Sequence, residues 1–280
     1  MEDFYANSTS QNKSYNYSNF IVDTQYVVTC MIIALGLPST LMAIYALFYM
    51  VRSDHVAPIY LINLFISDLL QLCYMIVEVA ERWDSKIYEI FYVFVYHFGM
   101  MASVGFMVCI SLERYLVIVH PLWYRYRRTI KTSVEVCVVV WVLPLICVIP
   151  YYFWDKYVVT DIILAVFLLL PFPLLIFFLV GTLRALSASI ALPSKEKRRI
   201  VGILVLVLLI YMVLFLPNII WFLGSRFNET LNTLSFTFAK LSPLADLVLY
   251  VFMRKGAIDK FLASVCCCRM DSNEISISSV

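Results

Sequence analysis

Charge is what this sequence has least of. Asp, Glu, Lys and Arg make up 14% of its 280 residues, against 62% hydrophobic, and the mean hydropathy is +0.87. A soluble domain carries about a quarter charged residues, so a soluble fold is excluded. A net charge of +2 is too small to suggest a nucleic-acid partner. Histidine is scarce as well: His55, His97 and His120 are all there is, and only His97 falls near the outer side, so no extracellular proton-sensing cluster is available. Of eight cysteines, Cys30, Cys73, Cys109, Cys137 and Cys147 lie in apolar runs and Cys266, Cys267 and Cys268 form a cluster near the end. None falls in an outer loop, so no extracellular disulfide is expected. Neither a nucleophile–base pair nor a metal cluster is evident, so no enzyme chemistry and no metal are expected. No cleavable leader is visible in Met1–Asn19, and the first apolar run is expected to act as a signal anchor.

What is present is a series of apolar runs, about Tyr26–Val51, Pro58–Val77, Ile90–Leu112, Val136–Trp154, Ile162–Leu183, Ile200–Leu223 and Leu231–Met253. Each is long enough to cross a bilayer as a helix, which takes roughly 17–25 residues. Within lipid every backbone amide must be satisfied inside its own helix. The expected fold is therefore an all-α membrane protein, a seven-transmembrane helix bundle with a short amphipathic interfacial helix behind it. With the N-terminus outside, fifteen of the 21 Lys and Arg residues fall on the inner side, which sets that orientation by the positive-inside rule. The sequons at Asn7, Asn12, Asn16 and Asn228 all fall on the opposite, extracellular side, as glycosylation requires.

The chain accordingly divides into a glycosylated extracellular N-terminus (1–25), a transmembrane domain (26–253), an amphipathic helix (254–265) and a cytoplasmic tail (266–280). In 254–265, Ile258, Phe261, Leu262 and Val265 recur at helical spacing on one stripe. The cysteines Cys266, Cys267 and Cys268 that follow would sit at acyl-chain depth, as palmitoylation sites or as free thiols. The terminal Ser278-Ser279-Val280 suits a PDZ domain or is simply a solvated tail.

Ionisable residues inside spans are costly and call for a function. Asp68 lies mid-way along the second span, Glu78 in its outer half, Lys240 in the outer half of the seventh and Asp246 nearer its inner end, with Tyr250 one turn on. At about 100° per residue, Met107, Ser103, Met100 and Tyr96 share the direction of Arg114 on the third span. Arg114 cannot face lipid cheaply, so this stripe should face the bundle. Asp68, Ser103, Ser242 and Asp246 then form a polar set that suits a sodium ion, or a water-bridged network without one. By depth and facing, Glu78, Tyr96, His97, Met100, Phe215 and Lys240 should line an outer ligand cavity. The backbones of Glu78 and Lys240 differ by roughly 6 Å in depth. An internal salt bridge between them is therefore as good a reading as a ligand contact in which Lys240 takes the acidic head of a lipid or another small anion.

Several of these residues resemble the motifs of class A (rhodopsin-like) G-protein-coupled receptors. Glu113-Arg114-Tyr115 and the following HPL resemble the (D/E)RY motif and second inner loop, Asp68 the helix-2 aspartate and Trp141 the helix-4 tryptophan. Phe215-Leu-Pro217 resembles the helix-6 switch, Asp246–Tyr250 the D/NPxxY motif and GLPST at Gly36–Thr40 a helix-1 signature. The helix-6 and helix-7 forms lean towards the branch holding purinergic, proton-sensing and lysophospholipid receptors. The resemblance implies a plasma-membrane receptor whose partners are a heterotrimeric G protein and a small-molecule or lipid ligand. It implies that Glu113 restrains Arg114 at rest, that Arg114 meets the G protein once freed, and that Leu122 is the apolar knob entering it. It also implies activation through Phe215, Pro217, Asp246 and Tyr250.

Departures from the pattern matter too. Thr40 replaces an asparagine, Phe215 a tryptophan and Leu247 the helix-7 proline, so an unkinked seventh helix is expected. Helix 5 offers Pro171 and Pro173 but no tyrosine two turns further in, and Glu89 stands where the family has a cysteine. A constitutively active, decoy or scaffold receptor is the alternative. A transporter is disfavoured because no inverted repeat is visible. A retinal-binding opsin is a minor reading, resting on Lys240 in FAK with Glu78 as counter-ion.

Overall fold

The computed structural model describes residues 2–51, 59–80, 91–127, 130–153, 157–188, 194–224 and 229–253. Asn228, Glu89, the 254–265 segment, Cys266–Cys268 and Ser278–Val280 lie outside these residues, as do the side chains of Asn7, Asn12 and Asn16. Among the described residues there is no strand; the elements are α1 (Glu2–Val51), α2 (Ile59–Val79), α3 (a wide π-helical turn Tyr92–His97 running into Phe98–Val119), α4 (Pro121–Arg127), α5 (Ile130–Phe153), α6 (Tyr157–Leu169), α7 (Pro171–Ala188), α8 (Ser194–Gly224), α9 (Glu229–Lys240) and α10 (Ser242–Met253).

Among the described residues six stretches are long and apolar enough to cross a membrane, and α9 with α10 supplies a seventh if taken as one broken span. The chain is thus a multi-pass membrane protein. Pro171 has no amide hydrogen to continue the ladder, which accounts for the break between α6 and α7 within the fifth span. The seventh span bends by 42° at Leu241, which corrects the expectation of an unkinked helix. Leu247 does remove one proline, but Pro243 cannot donate to the Ala239 carbonyl, and the Leu241 amide closes a tighter turn onto Phe238 at 3.1 Å.

The third span is the axis of the bundle. Its most apolar stretch is 67% buried, whereas that of α5 is only 17% buried. Met107, Ser103, Met100 and Tyr96 are all buried, so the stripe that runs out from Arg114 faces its neighbours. Gly99 lets α3 approach α2 closely, since a Cβ there would stand 3.0 Å from the Ser67 carbonyl oxygen.

Polar contacts to α2 help pin the lipid-facing α5, the shortest of those from its tryptophan. Trp141 Nε1 donates to Asn63 Oδ1 of α2 at 2.9 Å, and Phe98 and Phe106 of α3 each sit 5.5 Å from the indole. Asn63 Nδ2 in turn donates to the Ile59 carbonyl at 2.9 Å, which fixes the amide's orientation. Trp141→Phe keeps the ring contacts and deletes one partly buried hydrogen bond. It is expected to cost about 1 kcal/mol in thermal unfolding of the purified protein; an unchanged midpoint would show that the bond contributes nothing.

Candidate functional site

Three levels along the bundle axis carry polar side chains. At the middle, Asp68 of α2, Ser103 of α3 and Ser242 and Asp246 of α10 are all fully buried. Ser103 Oγ donates to Asp246 Oδ2 at 3.1 Å and Gln71 Nε2 to Asp68 Oδ1 at 3.4 Å. Asp68 Oδ2, Asp246 Oδ1 and Ser242 Oγ have no protein partner. The break at Leu241 opens α10 and sets Ser242 at its start. The four residues expected to meet therefore do meet, and Gln71, one turn beyond Asp68, joins them.

At the end of the bundle where α3 meets α4, Arg114 is half-buried and its Nε is shielded from solvent without a partner. The expected tether to Glu113 is not formed. The ion pair found among the described residues joins Lys240 to Glu78, while Glu113 Oε1 accepts a 2.6 Å hydrogen bond from Tyr124 OH of α4. Adjacent helix positions point about 100° apart and do not face one another, whereas α4 folds back beneath the end of α3 and reaches Glu113 directly. Tyr115 turns towards α7, its ring 5.7 Å from Phe177 and 5.4 Å from Phe178. Leu122 is 85% exposed, and Trp123 and Tyr126 of α4 are exposed with it. Tyr250 packs edge-on to Phe65 at 5.7 Å, with its hydroxyl buried and unpartnered. Arg199 Nη2 of α8 donates to the Met253 carbonyl, tying α8 to the end of α10.

Towards the opposite end a cavity of about 290 Å³ opens between α1, α2, α3 and α9. Glu78, Tyr96 and Lys240 line it, as expected. Lys240 Nζ lies 2.7 Å from Glu78 Oε1 and also donates to Thr29 Oγ1 at 3.5 Å. His97, Met100 and Phe215 are not among its walls. Met100 is in the core, Phe215 is fully buried against Tyr211 at 5.1 Å, and Tyr211 OH donates to the Leu168 carbonyl. His97 stands edge-on to Tyr92 with Nδ1 3.2 Å from the Tyr92 carbonyl oxygen. The wide turn at Tyr92–His97 interrupts the 100° register there.

The remaining walls, Gln25, Tyr74, Tyr92, Asn232, Thr233 and Phe236, escaped the sequence reading, although the signal was present. Tyr74 and Tyr92 lie one turn before Glu78 and Tyr96. Phe236 and Thr233 lie one and two turns before Lys240, on the same helix face. Glu78 Oε2, Tyr96 OH and Asn232 Oδ1 have no partner.

A buried polar centre, a shielded arginine towards one end and a cavity towards the other, set in one bundle of up to seven spans, are the layout of a multi-pass helical membrane protein. The "7 transmembrane receptor (rhodopsin family)" matches residues 39–251, and the chain belongs to that family. Among curated proteins it is similar to G-protein coupled receptor 68 of Mus musculus, 25% identical over 274 residues that cover 81% of this chain and 72% of that protein. The Mas-related G-protein coupled receptor member A4 of Mus musculus is 28% identical over 70% of this chain and 69% of its own length. Proteinase-activated receptor 2 of Rattus norvegicus is 25% identical over 69% of this chain and 56% of its own length. The matched stretch falls to 39% of the relative's length for G-protein coupled receptor 68 of Bos taurus.

Proposed function

We propose that this chain is a plasma-membrane receptor, not an enzyme, which reports occupancy of its outer cavity to a heterotrimeric G protein at its inner mouth. The observation that carries the reading is Arg114. A guanidinium with a shielded, unpartnered Nε, beside an exposed apolar helix bearing Leu122 and Trp123, is an expensive arrangement for a structural anchor and a fitting one for a partner's docking surface. Family membership and the G-protein-coupled relatives support the same partner. In this reading the acid of the ERY motif acts through Tyr124, so the α4 helix reports to α3 through one hydrogen bond. The expected orientation places the N-terminus outside, with Asn7, Asn12, Asn16 and Asn228 glycosylated, Cys266–Cys268 acylated in the cytoplasm and the terminal valine open to a PDZ domain.

Two buried carboxyl groups at Asp68 and Asp246 act on each other electrostatically and call for a proton or a small cation as counter-charge. Asp68 Oδ2, Asp246 Oδ1 and Ser242 Oγ, hard oxygen atoms without partners, would hold sodium. In the cavity, a ligand with an acidic head group reaches Lys240 by taking it from Glu78. The free acceptors Glu78 Oε2 and Asn232 Oδ1 favour a second kind of ligand, one that donates hydrogen bonds and leaves the pair intact.

Nucleotide exchange on purified G proteins, with receptor in nanodiscs, tests the proposal. Wild-type receptor should accelerate exchange, and Arg114→Ala should reduce that acceleration by about tenfold. No acceleration across a panel of G proteins by a folded wild-type protein would favour a decoy or scaffold.

A further inference from the structure

The outer ends of α8 and α9 are joined by a pair of hydrogen bonds in which each helix supplies one donor side chain and one acceptor carbonyl. Asn218 Nδ2 of α8 donates to the Ser235 carbonyl of α9 at 2.9 Å. Ser235 Oγ donates back to the Pro217 carbonyl of α8 at 3.0 Å. Each donor is also steadied on its own helix, Asn218 by the Leu214 carbonyl at 3.2 Å and Ser235 by the Leu231 carbonyl at 2.7 Å. Both residues are buried, Asn218 at 2% and Ser235 at 0% exposure. One turn on, the Trp221 indole of α8 meets Phe236 of α9 edge-on at 5.5 Å.

Position gives this contact its meaning. Pro217 has no amide hydrogen for the Val213 carbonyl, so α8 is weakened in the turn before it, and the contact lies just beyond that joint. On α9, Ser235 lies between Thr233 and Phe236, both walls of the outer cavity. We infer that Asn218 and Ser235 form a two-way clasp that makes the end of α8 beyond the proline-weakened turn and the cavity wall of α9 move as one body. Whatever displaces the α9 wall then carries α8 with it. Asn218 and Ser235 are positioning residues; neither lines the cavity. Because both acceptors are backbone carbonyls, side-chain substitution removes donors and leaves the acceptors in place.

Hydrogen–deuterium exchange of the full chain in phosphatidylcholine nanodiscs tests this without ligand or G protein, so its outcome is independent of the receptor reading. Exchange tracks the local opening of each segment. Ser235→Ala, a change on α9, should speed exchange of α8 amides 218–224 roughly 3- to 10-fold, the worth of an ordinary hydrogen bond. Asn218→Leu, a change on α8, should likewise speed exchange of α9 amides 232–240. Exchange in 23–49 and 59–79 should stay as in the wild type. If each substitution loosens only its own helix, or the whole bundle loosens together, the clasp is refuted. Should Asn218→Leu fail to fold, Ser235→Ala alone decides, because its effect on the opposite helix is the discriminating result.

Discussion

Lys240→Met is expected to lower the stability of the purified protein by about 2–3 kcal/mol, and Glu78→Met in the same chain to restore most of the loss. Breaking a buried ion pair by removing one partner costs roughly 3–5 kcal/mol, chiefly because the remaining charge is stranded, whereas replacing both by apolar residues is often close to neutral. Lys240 and Glu78 are 2.7 Å apart with side chains 11% and 27% exposed. Water reaching the Glu78 side therefore screens part of the penalty, which sets the lower figure. Thermal unfolding of the two single variants and the double variant checks this. If Lys240→Met costs no more than the double substitution, the pair stabilises little and its retention must serve ligand recognition instead.

Gly181→Leu is expected to destabilise by about 1–3 kcal/mol, the usual cost of overfilling a packed site, and to expel Tyr115 from its seat. A Cβ at Gly181 of α7 would stand 2.6 Å from Tyr115 Cε2, well inside contact distance, and the Phe177 and Phe178 rings close the other sides. The helix-5 tyrosine that family resemblance predicts is absent from this stretch, and here the third span supplies a tyrosine to a glycine on the fifth. Tyr115→Ala on the Gly181→Leu background should recover part of the loss by clearing the space. Intrinsic tyrosine and tryptophan emission together with unfolding midpoints provide the measurement. A Gly181→Leu protein as stable as the wild type, with unchanged emission, would mean that Tyr115 repacks without cost.

The seven spans were legible because a bilayer imposes its thickness on apolar runs, and the inward stripe from Arg114 to Tyr96 because a charged group fixes which side of a helix faces in. The meeting of Asp68, Ser103, Ser242 and Asp246 followed from the same two constraints. The rest depended on backbone irregularity or on neighbours far away in sequence. A proline's effect falls on the turn before it, so Pro243 bends the seventh span at Leu241 although Leu247 had suggested a straight helix. The wide turn at Tyr92–His97 carries no residue signature, and it sends His97 out of the cavity that depth alone had assigned it to. Glu113 finds Tyr124 because α4 turns back beneath α3, a path that no spacing rule encodes.

The 42° break at Leu241 has a mechanical consequence. It divides the last crossing into two short arms: one holds Lys240 and the cavity wall, the other Asp246 and the polar centre. A joint of this kind transmits torque poorly along its own axis. A displacement of the arm that holds Lys240 is better relayed sideways, into the neighbouring sixth crossing it packs against, than straight down the seventh.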